Sequence, residues 1–348
     1  MKRKKNLNPT IYDVADKAGV SISTVSRALN KKNNLKELTR QKIFKAIEDL
    51  DFKADPFARS LVVKQFNLLE VCFSWSSIQI NLENEWYLGL LNGINDVVQE
   101  KRYGLLINTI SGVFDLQEVD RRVARTAVDG VLMVSPYLKE EELRQLKDFQ
   151  VPLVLIGCRV NDPSVDYVDC DNEKAVAEIV EHLIKKGHKK IACITGEINI
   201  SANAADRLRE FKQTMKRHGF TVPDSFVVEG DFSKGSGAKA MKKFLALKER
   251  PTAIFASNDL MALGAWDSLL EEGLKVGKDI SLVGFDDIPQ ASTAPYSLTT
   301  IKQDYREIST QAARLLIEKI QNPKGWKARQ VLVPTQLIVR QSCGSKKK

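Results

Sequence analysis

Thr10-Ile-Tyr-Asp-Val-Ala-Asp-Lys-Ala-Gly-Val-Ser-Ile-Ser-Thr-Val-Ser-Arg-Ala-Leu-Asn30 is the stretch from which the rest of the chain can be read. Ile11, Val14, Ala15 and Ala18 recur at i, i+3, i+4 and i+7 behind Thr10, a good N-cap. The spacing therefore predicts a short amphipathic helix over 11–18, ended by Gly19. Ser21 is a second N-cap. Val25, Ala28 and Leu29 give the next segment an apolar edge, leaving Ser23, Thr24, Ser26 and Arg27 outside. After a polar loop from Asn30 to Lys36, Thr39 is expected to open a third helix with Ile43, Ile47 and Leu50 on one face and Phe44 alongside. Three such helices around one small core, the first two joined by a tight glycine turn, make a helix-turn-helix, whose second helix can enter a major groove. Arg27 can donate two hydrogen bonds to a guanine, and Ser23, Thr24 and Ser26 are short enough to let that helix sit deep. A small bundle with no nucleic-acid role is the bland alternative, and the outer face argues against it.

Charge points the same way once it is located. The chain carries a net +9, and residues 1–64 hold 15 Lys/Arg against 7 Asp/Glu, while the remaining 284 residues hold 38 against 37. Lys2 to Lys5 alone would pass for a solvated tail, but positive charge concentrated on a small folded unit is the footprint of phosphate binding.

A length of 348 residues, 43% hydrophobic and 28% charged, suits two or three globular domains. The basic start is not followed by an apolar signal-peptide core, because Asp13, Asp16 and Lys17 interrupt it, and no run of apolar residues is long enough to span a membrane. Cys72, Cys158, Cys170, Cys193 and Cys343 are odd in number and lack a Cys-x-x-Cys spacing, and His182, His188 and His218 form no ligand cluster with them. They read as reduced structural thiols, so the expectation is a cytoplasmic chain with no metal and no cofactor.

The segment Thr10 to Asn30 resembles, nearly position for position, the DNA-binding signature of the lactose-repressor and galactose-repressor family. The resemblance implies that Ile22 and Ser23 tune operator choice, that Ser26 and Arg27 touch bases or phosphates, and that Thr10, Tyr12, Thr24 and Asn30 hold the backbone. Ile22 cannot hydrogen-bond a base, so what it reads is a thymine methyl or groove shape. Further on, Asp55-Pro-Phe-Ala-Arg-Ser-Leu61 has the composition of a linker, with Pro56 at a helix N1 position. Here the resemblance implies a hinge helix that folds on operator DNA and drives Leu61 into the minor groove, with Ala58 packed beside it.

From Leu68 onward, strand-like runs alternate with amphipathic ones. Leu68–Phe73, Gly104–Asn108, Gly130–Val134 and Pro152–Ile156 are separated by helical stretches over Trp86–Glu100, Leu116–Ala127 and Glu140–Phe149; a second series is Lys190–Thr195, Phe226–Glu229, Thr252–Ala256 and Ile280–Phe285. Repeated βαβ units imply two parallel, doubly wound sheets, and ligands collect at the carboxyl ends of such strands. The resemblance implies the same: an α/β two-lobed domain like periplasmic sugar-binding proteins, with a small-molecule effector between the lobes. The expected organisation is a helix-turn-helix domain over 1–54, a hinge and linker over 55–67, and an effector core over 68–348. Within the core, the first lobe takes about 68–165 and 296–326, and the second about 166–295 and 327–348.

Candidate effector contacts follow from matched motifs. Asn258 in Ala256-Ser-Asn-Asp and Asp286 in Gly284-Phe-Asp-Asp match positions that bind effector hydroxyls, although each also suits a cap or turn. Arg207 matches an arginine that reaches into the cleft, with Glu210 where the family usually has glycine. Phe232 matches an aromatic platform, Gln303 a bridge between lobes, and Trp86, in Asn84-Glu-Trp-Tyr where Asn-Pro-Phe-Phe is usual, a stacking surface for a sugar. Such a set suits a sugar or sugar derivative better than a purine.

Gly230 to Gly235 lacks the Lys-Ser/Thr that completes a phosphate loop, and no Gly-x-Ser-x-Gly or His-Glu-x-x-His is present, so no enzyme is expected. After Val333-Pro-Thr-Gln-Leu-Ile-Val-Arg-Gln-Ser342 there is no leucine-heptad helix. The resemblance therefore implies a homodimer on a pseudo-palindromic operator of double-stranded DNA. The competing class is a cytoplasmic ligand-binding or catalytic protein with a basic interaction module.

Overall fold

In a computed structural model the described residues are 9–29, 35–52, 65–75, 85–111 and 115–344, and the chain divides into two compact units, Met1–Phe66 and Asn67–Lys348. Asn30, Ala58, Leu61 and Asn84 lie outside the described residues.

The first unit contains α1 (Ile11–Ala18), α2 (Ile22–Leu29) and α3 (Glu37–Asp49). The start of α1 is fixed by a reciprocal capping box: Asp13 N donates to Thr10 Oγ1 at 3.4 Å and Thr10 N to Asp13 Oδ2 at 2.7 Å. Gly19 ends it at φ 68°, and its N–H donates to the carbonyls of Ala15 and Asp16. The core is Val14, Ala15, Val25, Ala28, Ile43 and Ala46. The third helix begins at Glu37 rather than Thr39, behind Lys36, which makes no side-chain cap. Phe44 is exposed rather than part of the core and lies under the Arg40 guanidinium.

In the second unit, one six-stranded parallel sheet has the order β11-β5-β4-β3-β1-β2, built from β1 (Leu68–Trp75), β2 (Gly104–Ser111), β3 (Gly130–Val134), β4 (Leu153–Ile156), β5 (Tyr167–Cys170) and β11 (Gln330–Val333). A four-stranded parallel sheet has the order β7-β6-β8-β9, from β6 (Ile191–Thr195), β7 (Val227–Glu229), β8 (Ala253–Ala256) and β9 (Ser281–Val283). The first sheet carries α4 (Glu85–Lys101), α5 (Leu116–Thr126), α6 (Glu140–Gln145) and α11 (Tyr305–Gln321). The second carries α7 (Asn172–Lys185), α8 (Ala202–Arg217), α9 (Lys234–Leu245) and α10 (Asp259–Glu271). Strands buried on both faces, such as β3, β4, β6 and β8, read as unbroken apolar runs because helices cover each side.

The lobe boundaries differ from those expected from sequence. Tyr167–Cys170 and Gln330–Val333 pair with each other and complete the first sheet, so they do not belong to the second lobe. Residues 298–301 belong with the second lobe instead: Leu298 lies in its core, Gly284 N donates to Thr299 O, and Asp286 N donates to Ile301 O. The chain thus crosses between lobes around Asp171, Gln303 and Pro334, the last leading into β12 (Gln336–Ile338), which pairs antiparallel with β10 (Thr300–Lys302). The physical reason is that the crossovers follow strand ends, where a chain leaves a parallel sheet, instead of preceding the strands. One buried carboxylate locks the arrangement. Asp166 accepts from Lys319 Nζ at 2.8 Å, Trp326 Nε1 at 3.1 Å and Arg329 N at 2.8 Å, tying α11 and the approach to β11 onto the start of β5.

Candidate functional site

On the first unit, burying Val25 and Ala28 turns the opposite face of α2 outward. Ile22 is 40% exposed and Tyr12 63%, both far from what a core role would require. Ser23 and Arg27 are exposed, and Thr24 and Ser26 half-buried. Ser21 accepts from Thr24 N and shares hydroxyl contacts with Ser23 and Thr24, so the start of α2 is held by its own short side chains. Arg27 lies back along the helix, donating from Nε to Ser23 O at 3.3 Å and from Nη2 to Thr24 Oγ1 at 3.4 Å. The structure therefore brings Tyr12, Ile22, Ser23, Thr24, Ser26 and Arg27 onto the small first unit, with Thr10 serving as the cap of α1.

In the second unit a cleft of about 430 Å³, including solvent open to it, is lined by Trp86, Ser135, Ser201, Asn203, Arg207, Phe232, Asn258 and Asp286. Five of the six residues expected from sequence meet there. The sixth, Gln303, stands behind: its Nε2 donates to Asp286 Oδ1 at 2.8 Å and aligns that carboxylate.

Arg207 is buried on α8. Its Nε donates to Asn172 Oδ1 at 2.8 Å, its Nη1 to Ser257 O at 2.6 Å, and its guanidinium carbon sits 3.6 Å from the Phe285 ring centroid. Glu210, in place of the usual glycine, is satisfied on its own helix by Thr214 and Arg217. Asn258 is both cap and cleft residue. Its Oδ1 accepts from Met261 N at the start of α10, and its Nδ2 donates to Phe232 O at 2.9 Å, so it also holds the backbone of Phe232. The Phe232 ring lies so close over Gly196, at the end of β6, that any Cβ there would overlap it. Trp86 packs edge-on to Tyr87 and Tyr305, 4.9 and 6.4 Å between centroids. Ser135, Phe232 and Asp286 all have positive φ, at 47°, 63° and 132°, and such strained non-glycine backbone gathers at binding sites.

Sequence reasoning missed Ser135, Ser201 and Asn203, and the supporting Asp169 and Asn172. Ser135 follows β3, so the strand-end rule already applied to Asn258 would have found it. Asn172 could not be found without recognising β5. It begins α7 at a crossover and donates to Asn203 Oδ1 at 3.0 Å and Asp169 Oδ2 at 3.3 Å while accepting from Arg207.

Three buried carboxyls at and behind the cleft, Asp169, Asp259 and Asp286, are displaced upward. Burial pushes Asp169 to about 7 despite the opposing hydrogen bond from Cys170 N and the pull of Arg207. Burial likewise raises Asp286, against Arg207, and Asp259 behind it, which the charge of Asp286 raises further. For Asp169 the sign is definite. An unfolded aspartate titrates near about 4, so the folded state holds its proton longer, and its stability contribution falls as pH rises from about 4 to 7. Asp169→Asn is expected to flatten that decline, at most about 1.4 kcal/mol per pH unit, in denaturant titrations across this window. Parallel profiles for the two proteins would place the carboxyl in its ordinary range.

All five cysteines are free and buried, and burial raises their thiols. No cluster of metal-ligating side chains occurs among the described residues, and no described helix is long and apolar enough to cross a membrane.

A groove-sized helix with an exposed polar face, followed by a two-lobed fold with a polar and aromatic cleft, defines a ligand-responsive DNA-binding transcription regulator. Residues 10–55 match bacterial regulatory proteins of the lacI family, and residues 180–343 match the periplasmic binding protein-like domain. The chain is 33% identical over 337 residues to catabolite control protein A of Priestia megaterium, covering 97% of this chain and 99% of that one. Among solved structures, the lac repressor dimer bound to operator and the anti-inducer ONPF aligns with TM-score 0.79 and 28% identity, over 96% of this chain and 99% of that one. The transcriptional regulator CelR–cellobiose complex aligns with TM-score 0.72 and 27% identity, over 96% and 100%. The chain belongs to the LacI family of bacterial transcription regulators.

Proposed function

We propose that this regulator is a cytoplasmic, non-catalytic repressor that acts as a homodimer on a pseudo-palindromic operator and releases or tightens its grip when a sugar occupies the cleft. The observation that carries the reading is the cleft itself, which Arg207, Asp286, Asn203 and Asn258 line with donors and acceptors alongside the aromatic Trp86 and Phe232. Buried donor and acceptor pairs select hydroxyls, and aromatic rings cover the apolar face of a sugar. The cellobiose complex of CelR and the operator-bound dimer of the lac repressor support this reading. In this reading the domains are 1–54, 55–67 and 68–348, with Ala58 and Leu61 in the hinge. On the first unit, Ile22, Ser23, Ser26 and Arg27 meet the bases or adjacent phosphates, while Thr10, Tyr12, Thr24 and Asn30 hold the backbone.

The test uses an operator selected by the full-length protein from a palindromic library. Its affinity is compared with that for a scrambled duplex at one fixed salt concentration, since phosphate contacts alone depend steeply on salt. Arg27→Ala is expected to reduce the difference by about 1–3 kcal/mol. Equal wild-type affinity for both duplexes would leave only the competing class, a ligand-binding or catalytic protein with a basic interaction module.

A further inference from the structure

The charges around the cleft restrict which sugars can enter it, an inference that rests on reading the cleft as a sugar site. Of the eight lining residues, Arg207 is the single cation and Asp286 the single acid. Two of the three guanidinium nitrogens of Arg207 are already committed, Nε to Asn172 and Nη1 to Ser257 O, and one face rests on Phe285. Its charge is also claimed twice over, because it stabilises the ionised forms of both Asp169 and Asp286. Asp259 lies behind Asp286 as a third buried carboxyl, held by Thr300 Oγ1 at 2.6 Å and Ile288 N at 3.0 Å. The stretches 76–84 and 112–114, outside the described residues, add no lysine, arginine or histidine to the chain between β1 and α5.

A carboxylate or phosphate is held best by a guanidinium whose parallel N–H donors are free, and an anion buried without such a partner forfeits its hydration. A hydroxyl has no such need. It donates to an acid oxygen and accepts from a guanidinium N–H, so two neighbouring hydroxyls match Asp286 and the remaining donor capacity of Arg207. We propose that the cleft selects uncharged sugars over uronic acids and sugar phosphates of the same stereochemistry.

The experiment is isothermal titration and thermal shift of the full-length protein near neutral pH with matched series: glucose, galactose and cellobiose, each beside its uronate and its phosphate ester. Hypoxanthine serves as a non-sugar control. The expected result is that the neutral member of at least one series binds tenfold or more tightly than its anionic counterparts, about 1.4 kcal/mol. A uronate or phosphate ester that binds as tightly as its neutral counterpart, or more tightly, overturns the charge selection and leaves the sugar reading standing. No response to any sugar, with or without a response to hypoxanthine, overturns the sugar reading and this inference with it.

Discussion

Arg207→Ala is expected to abolish the effector response while leaving operator affinity within about threefold of wild type, a separation of less than about 0.7 kcal/mol in DNA binding. The side chain lies in the cleft, and the residues proposed to read the operator lie on the other compact unit. Truncation removes the only cation among the described residues lining the cleft and leaves Asn172 Oδ1 and Ser257 O without their donors. Hydrogen bonds to charged groups contribute about 1.5–3 kcal/mol each, and a sugar would lose its contact at the same time. Effector affinity is therefore expected to fall by a hundredfold or more, about 2.7 kcal/mol, in titration calorimetry. Arg207→Lys is expected to recover only part of this, since a lysine cannot reach both Asn172 and Ser257 while stacking on Phe285. Effector affinity within threefold of wild type in the alanine variant would remove Arg207 from the site.

The second large effect concerns stability. Asp166→Ala leaves the Lys319 ammonium, the Trp326 indole N–H and the Arg329 amide without the acceptor that now serves all three. The Asp166 side chain is fully buried and that of Lys319 only 23% exposed, so water replaces little of what is lost. Removing one partner of a buried pair typically costs about 3–5 kcal/mol. Thermal denaturation should show a fall in Tm of order 10 °C. Asp166→Asn keeps an acceptor for the indole and the amide and is expected to lose less. A loss under about 1 kcal/mol in the alanine variant would mean that the ammonium reaches solvent at little cost.

Much of the architecture was legible because period and punctuation agree. The 3.6-residue spacing of Val14, Ala15, Val25 and Ala28 between Thr10, Gly19 and Ser21 leaves no competing structure for the first two helices. The long apolar strands declared themselves in the same way. β5 did not, because Tyr167-Val-Asp-Cys170 carries Asp169 in its interior. Asp166, just before it, faces partners supplied from far along the chain, Lys319 and Trp326, while Asp169 is met by Asn172 three residues on. Missing that strand displaced the lobe boundary, and with it the crossover that places Asn172 against Arg207. In the cleft, side chains at strand ends were legible one at a time. What could not be read was which of them touch each other. Gln303 serves Asp286 rather than the cavity, and Asn258 spends its amide on Met261 and Phe232.

The three passages of the chain between the lobes bear on inheritance. The reading head occupies one uninterrupted stretch, so recombination at a single junction near residue 66 can exchange it whole and give an old sensor a new address on the chromosome. Neither lobe has that freedom. The first draws strands from positions as distant as Leu68 and Val333, and the second is closed by residues on both sides of α11. A crossover in the gene anywhere between Leu68 and Val333 would split the first sheet, and one between Thr195 and Ser281 the second as well, so the pair must be copied, and altered, as one piece.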